Sequence, residues 1–445
     1  MVEGRVLRSG LQIKPKEVLG GAFFWLAAFY FIYSGRPEDW VTVLAYIPLA
    51  KITGIFAMLA LLMAAGRTPR RYKDLPREAS YLLALIGLMF LSGFLSPVWK
   101  GGAVNHTIDF AKVYVAWVLT FLLITTMARL RRIIFIQAAS VAAVSAVAII
   151  KGHSVPRLNG VIGGIYSNPN DLAFAIVLSV PFCLAFLITS KGMFRKLLWC
   201  IGLIAMSAAL FLSASRAGFI NMIISGTVCL WHFGVRGKRF YLIIGTMFLG
   251  LVMMIVFGAR LRERMSVIIG SEAGTAVQET AYESYEERKE LMILALGAIA
   301  HYPILGVGCE NFVVYSGLWK EVHSAYLQIG AEGGVAVLVL YILFFKRGFR
   351  NLKDIRRMGP LDTETNLFVG ALHASLIGFV IGAFFAPEAY QFFAYFAVAF
   401  TSVLYAIVKE RQKTEIRAPE PQKWSHPYRE MNRTDGATKI LTPTH

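Results

Sequence analysis

Charge is what this chain has least of. Asp, Glu, Lys and Arg make up 16% of its 445 residues, against about 25% in an ordinary soluble domain. Hydrophobic residues make up 56%, and mean hydropathy is +0.58. A water-soluble globular fold is excluded, and the composition is that of an integral membrane protein. Cysteine is scarce too. Of the four, Cys183, Cys200 and Cys229 sit inside apolar runs, so neither a disulfide framework nor a zinc site is implied. No small-residue cleavage site follows the first apolar run, Val18 to Tyr33, which therefore reads as a retained span. No internal repeat stands out, so the pseudo-symmetry of many secondary transporters is not expected.

What is present is arranged by sign. The net charge of +18 does not point to nucleic acid, because Lys and Arg occupy short loops between apolar runs. That is the positive-inside pattern, with contact to anionic lipid headgroups. About twelve spans are expected, each near the roughly 20 residues needed to cross hydrocarbon. They fall at 18–34, 42–65, 79–97, 108–128, 133–150, 170–190, 197–213, 216–233, 239–258, 323–345, 366–386 and 389–408. One set of loops (67–78, 128–132, 191–196, 235–239, 346–357) holds 20 Lys and Arg, and the alternate set holds 11, six of them in one long loop. Both termini are then cytoplasmic and the long loop is outside. The expected fold is an all-α membrane protein of about 12 transmembrane helices, with one large outer loop containing an amphipathic helix. Its parts are N-terminal spans over 1–150, a core over 151–345 that includes the loop at about 259–322, C-terminal spans over 346–408, and a polar, disordered tail over 409–445.

Three outer-face stretches carry chemistry. The first is PRLNGVIGGIYSNPND, residues 156–171. Asn168-Pro169-Asn170-Asp171 reads as a helix start, with Asn168 as N-cap, Pro169 at the first helical position and an acid in the first turn. Gly160, Gly163 and Gly164 make the loop before it pliable. A capped span behind a tight loop explains the asparagines as well as ligand binding does. Arg157 is a cation just outside the membrane in a loop otherwise nearly free of charge. The second stretch is FLSASRAGF, residues 211–219, a turn between two short spans that sets Arg216 below the outer interface. An arginine at that depth costs roughly 2.5–3.5 kcal/mol on insertion scales and faces a partner or a cavity; the alternative is a snorkelling anchor. Ser213 and Ser215 add hydroxyl donors. The third is the long loop, where Glu286 to Ala300 has a helical apolar pattern (Leu291, Ile293, Leu294, Leu296, Ile299) too short to span. It reads as an amphipathic helix on the outer surface, with Arg288 and Lys289 in its first turn. Its end is His301-Tyr302-Pro303, and Gly306-Val307-Gly308 is a turn. His323 follows at the start of the tenth span. A lone histidine is more often a packing or capping residue, but an unperturbed pKa near 6.5 at this surface suits a general base.

Taken in order, RLNGVIGGIYSNPNDLA, SASRAG, EERKELM followed by HYPILGVGCENF, and VHSAYLQIGAEGG resemble the O-antigen ligase and O-antigen polymerase superfamily over roughly 150–345. The N-terminal third matches nothing beyond hydropathy. The resemblance implies a bacterial inner-membrane protein whose long loop is periplasmic. It implies a cofactor-free, metal-independent glycosyl transfer from an undecaprenyl-diphosphate-linked glycan to a hydroxyl of a lipid A core, a glycan or a protein. By motif, His323 would be the base, Arg216 and Arg288 would hold the pyrophosphate, and Arg157 would assist. Arginine forks are suited to a diphosphate leaving group without a metal. Asn168 and Asn170 would donate hydrogen bonds beside a helix N-terminus. Many members have Asn after the loop histidine; here Ser324 stands there, a departure that bears on how the ring of His323 is oriented.

Rival classes lack their residues. No outer Asp-x-Asp or Asp-x-Glu exists for a metal-dependent oligosaccharyltransferase, since Glu38-Asp39 is adjacent and Asp362-Thr363-Glu364 lies on the cytoplasmic side. A lipid phosphatase would need a histidine soon after Ser-Arg, and residues 217–224 read AGFINMII. A transporter of lipid-linked sugars remains as the non-enzymatic alternative, with few charges in the spans apart from Lys51 to support it. Ligase and polymerase are not separated.

Overall fold

The computed structural model describes residues 19–63, 68–152, 157–158, 166, 168–266 and 276–417. Gly160, Gly163 and Gly164, and the tail from 418, lie outside them. Among the described residues every element is helical. In chain order the helices of eight or more residues are α1 Gly20–Gly35, α2 Leu49–Met63, α3 Arg77–Leu95, α4 Lys100–Leu123, α5 Met127–Lys151, α6 Pro169–Thr189 and α7 Met193–Leu212. Then come α8 Arg216–Leu230, α9 Phe240–Phe257, α10 Ala259–Ser266, α11 Ala276–His301, α12 Ala325–Arg357, α13 Thr363–Gly382 and α14 Phe392–Arg417. Among the described residues ten helices, α8 counted through Val235, are long and apolar enough to cross a membrane; α1 and α2 are apolar but shorter. Each of the twelve apolar stretches thus contains a helix.

Three boundaries differ from the hydropathy reading, each for a physical reason. The second helix begins at Leu49, because Thr42–Tyr46 forms a 3-10 turn and Pro48 sits at the helix start. α12 continues through the basic run at 346–357 to Arg357. That extension is amphipathic: Asn351, Leu352 and Ile355 are buried, and Arg347 reaches Glu78 of α3 at 3.6 Å. α14 likewise runs to Arg417, past Lys409 where a disordered tail was expected to begin.

α6, α13 and α14 are the most enclosed helices, and α9 is the most peripheral. α13 packs between α6 and α8, while α12 lies against α3, α14 and α11. Aromatic residues fill the seams. Tyr30 of α1 stacks its ring near Phe396 of α14 and shares a 2.8 Å hydrogen bond with Thr120 of α4. All four cysteines are free thiols.

One break in α12 organises the end of the bundle that carries the motifs. Gly334 takes φ +78°, ψ 178°, a conformation that L side chains avoid. The chain from Pro303 to Gly308 docks into that break. Val335 N–H donates to Pro303 O (2.8 Å), and Val307 and Gly308 N–H donate to Ala331 and Glu332 O (both 2.9 Å). The backbone groups that a broken helix would orphan are therefore paired. A Cβ on Gly334 would fall 2.4 Å from Ile304 O, and one on Gly306 would fall 2.4 Å from Glu332 C. The glycines of GVG and AEGG are thus explained by a backbone-to-backbone joint. Leu291, Ala295 and Ala298 of α11 pack with Val307, Phe312, Val322 and Ala331 into a small second core over this joint. Of the residues expected on the apolar face of α11, Leu291 is buried and Leu294 and Ile299 pack against that core. Ile293 and Leu296 are exposed on the other side, so α11 shows apolar surface on two faces.

Candidate functional site

Two groups of the sequence-derived candidates assemble at this end, on different supports. The first is built on the starts of α6 and α8. Asn168 is the N-cap of α6, its side chain accepting from Asn170 N–H at 2.9 Å, with Pro169 behind it. Its role is that of a cap. Asn170 reaches the neighbouring hairpin: its Oδ1 accepts from Ser215 Oγ (2.8 Å) and from Arg157 Nη2 (3.4 Å). Arg157 Nε also donates to Ser213 O (3.1 Å). Ser215 caps α8 by accepting from Gly218 N–H at 3.1 Å, and Ala214 before it takes φ +48°. That left-handed residue makes the turn sharp enough to place Arg216 at the first position of α8 with only 9% of its surface exposed. Gly218 permits the close approach of α6, since a Cβ there would lie 2.6 Å from Ala173. Arg157, Asn170, Ser215 and Arg216 are thus brought together.

The second group sits on α11 and the segment before α12. His323 Nδ1 lies 3.1 Å from Glu321 O. A carbonyl only accepts, so Nδ1 carries the proton and Nε2 presents its lone pair. The ring is therefore oriented by a backbone carbonyl, the task that Ser324 does not perform; Ser324 occupies the N-cap position of α12 without a side-chain cap bond. Burial and then the Arg288 guanidinium push the His323 pKa down to about 4, so the imidazole is neutral at physiological pH. A Lys320–Glu287 ion pair ties this segment to α11. Arg288 is close enough to His323 for its charge to act on the ring.

Between the groups lies a row of acids that motif reading did not single out. Glu388 follows α13 and is buried. Burial, the Asp171 carboxylate and then Glu321 raise its pKa well above the usual carboxylate range. Glu321 is itself raised by burial and by Glu310. Asp171 adjoins Asn170, and Glu321 is two residues before His323, so this row links the two groups. A signal for Glu388 was in the sequence: it is the only charged residue between Glu364 and Lys409. Glu332 of α12 is fully buried and accepts from Phe312 N–H (3.4 Å) and from Tyr390 Oη.

The acids open into a cavity of about 940 Å³. Its polar end has Arg36, His106, Asp171, Glu310, Glu321 and Glu388; its other walls are Leu26 and Phe29 of α1, Ile55 and Met58 of α2, and Val115 and Leu119 of α4. His106 Nδ1 is 2.9 Å from Glu310. The cavity is amphiphilic, and about two thirds of its lining comes from the N-terminal third, where no motif was legible. α4 also brings Asp109 and Lys112 to the wall, so the spans hold more charge than the sequence reading counted. Among the described residues no group of three His, Cys, Asp or Glu side chains could hold a metal ion.

The fold and this site define a multi-pass membrane protein, helical throughout its described residues, with a large amphiphilic cavity in its bundle. Residues 201–342, about a third of the chain, match the family model described as O-antigen ligase. The match runs from the middle of α7 to the first half of α12. It therefore takes in Arg216, Arg288, His323 and the Gly334 joint and leaves out the cavity walls from α1, α2 and α4. No curated protein matches the chain.

Proposed function

We propose that the protein is a glycosyltransferase of the periplasmic face of the bacterial inner membrane, with cytoplasmic termini. It moves a glycan from an undecaprenyl-diphosphate carrier to an acceptor hydroxyl of a lipid A core, a glycan or a protein. The observation that carries this reading is His323. It is held by Glu321 O in the tautomer that leaves Nε2 free of a proton, and it is neutral beside a guanidinium. A neutral imidazole can take the proton of an attacking hydroxyl. Arg288 beside it, and Arg216 with Arg157 across the acid row, supply the forked cations that a departing diphosphate needs. The carrier's isoprenoid lies along Leu26, Phe29, Ile55 and Met58, with its headgroup toward Arg36 and the acid row. The reaction breaks the bond between the anomeric carbon and the diphosphate oxygen and forms one to the acceptor oxygen. The hydroxyl proton goes to His323 Nε2, and no metal takes part.

The test is transfer by purified protein from a lipid-diphosphate-linked oligosaccharide in EDTA, with candidate acceptors added singly. Transfer that His323→Ala abolishes supports the reading, and the acceptor used separates ligase from polymerase. Loss of transfer on adding EDTA would overturn metal independence. The charged residues Lys51, Asp109 and Lys112 at the cavity wall favour one second reading, a transporter of the same lipid. Donor binding without transfer to any acceptor would select it.

A further inference from the structure

The opposite end of the bundle holds a second cavity, of about 300 Å³. α8 runs between the two ends; its 20 residues to Val235 span about 30 Å at the α-helical rise. At its far end the α-helix gives way to a π turn, Trp231–Val235, an irregularity that recurs at functional sites. The turn carries His232 inward, where Nε2 lies 2.9 Å from His373 Nδ1 and 3.2 Å from Arg356 Nη2. Arg236 and Arg239 follow on the next turn, and Thr363 and Asn366 of α13 close the wall.

Three guanidinium groups thus converge on one half-enclosed space, and among the described residues no acidic side chain lines it. Arg236 is close enough to Arg356 for their charges to repel. The two acids that flank Thr363 are engaged elsewhere: Asp362 accepts from Thr365 N–H and from Arg411, and Glu364 pairs with Arg131 at 3.2 Å. Basic residues that only set topology spread into solvent along short loops, as Lys191, Arg195 and Lys196 do. Gathering them around a cavity raises their self-repulsion unless an anion enters. Arginine forks with hydroxyl and amide donors match the oxygens of a phosphate.

We propose that this cavity is a binding site for a phosphate group, presented by a lipid headgroup or as a free anion, distinct from the site around His323. The experiment uses the full-length protein in neutral detergent or in vesicles and follows its thermal unfolding midpoint. One arm adds inorganic phosphate against chloride at equal ionic strength. The other compares phosphatidylcholine vesicles with vesicles of equal parts phosphatidylcholine and phosphatidic acid. The expected result is a saturable stabilisation of the wild type, with half-saturation weakened about tenfold or more in Arg239→Gln and Arg236→Gln. Stabilisation by phosphate alone identifies a free anion, by phosphatidic acid alone a lipid headgroup, and by both a site that reads the shared group. Without added phosphate, both variants should unfold no lower than the wild type, because each relieves repulsion. A lower midpoint there, no stabilisation of the wild type in either arm, or equal half-saturation in the variants would overturn the proposal.

Discussion

The two ends of α8 hold arginine in opposite ways. At the start, Arg216 follows a strained, capped turn and is almost fully buried beside Arg157, whose guanidinium is committed to Ser213 O and Asn170 Oδ1. Acids stand nearby in Asp171, Glu321 and Glu388. At the finish, Arg236 and Arg239 join Arg356 around a cavity whose described lining has no acid. In the first arrangement the geometry is fixed by caps and hydrogen bonds to neutral partners, so that a ligand must displace or complete existing partners. The second stores repulsion that a ligand relieves. The same residue type thus signals precision at one end and a standing electrostatic demand at the other.

The largest expected effect falls at the end that holds His323. His323→Ala should lower transfer by about 10²–10⁴-fold, the usual worth of a general base, with an unchanged unfolding midpoint, because the ring is bonded to a surface carbonyl and not to a core. Normal glycan attachment by that variant would break the assignment of a base to this end. Gly334→Ala should cost about 1–3 kcal/mol of stability, and more where the new Cβ meets Ile304 O; a wild-type midpoint would mean that the joint under His323 tolerates a side chain. Next comes Arg216→Lys, expected to slow transfer about 10–100-fold by losing fork geometry at constant charge. Wild-type turnover there would reduce Arg216 to an anchor and erase the contrast with the far end.

How much of this was legible in the sequence differs between the two halves of the site. Helical spans follow from hydropathy because lipid leaves the backbone no other partner. The Asn168 cap follows from local chemistry. His323, Arg216 and Arg288 came from motif resemblance; Arg216 opens α8 and His323 lies just before α12, whereas Arg288 sits in the middle of α11, which begins at Ala276 and not near Glu286 as expected. What could not be read were long-range joints. Nothing local tells that HYPILGVG docks into AEGG, since the reason is a backbone approach that only the folded chain displays. The cavity walls from α1, α2 and α4 are ordinary apolar residues whose lipid-like surface emerges from packing. The helical extension beyond Lys346 was hidden because its basic residues look like loop until Asn351, Leu352 and Ile355 are seen to be buried against neighbouring helices.

The smallest expected effect is the most discriminating. His323 must be neutral to accept a proton, and its pKa is pushed down to about 4, first by burial and next by Arg288. Transfer should therefore persist as pH falls through 6.5 and be lost only as it nears 4. For the free enzyme this limb is read in kcat/KM. Arg288→Gln removes a cation that disfavours imidazolium, so the limb should move upward, by less than the full distance to 6.5 because burial remains. The height of the profile should fall as well, since Arg288 also serves the diphosphate. In wild type the diphosphate itself partly cancels Arg288, so the limb in kcat should lie above that in kcat/KM. A limb that stays put in Arg288→Gln would separate Arg288 from His323 electrostatically. The outer end would then no longer be a site whose base is tuned by its arginine, and its contrast with the mutually repelling arginines at the far end of α8 would weaken.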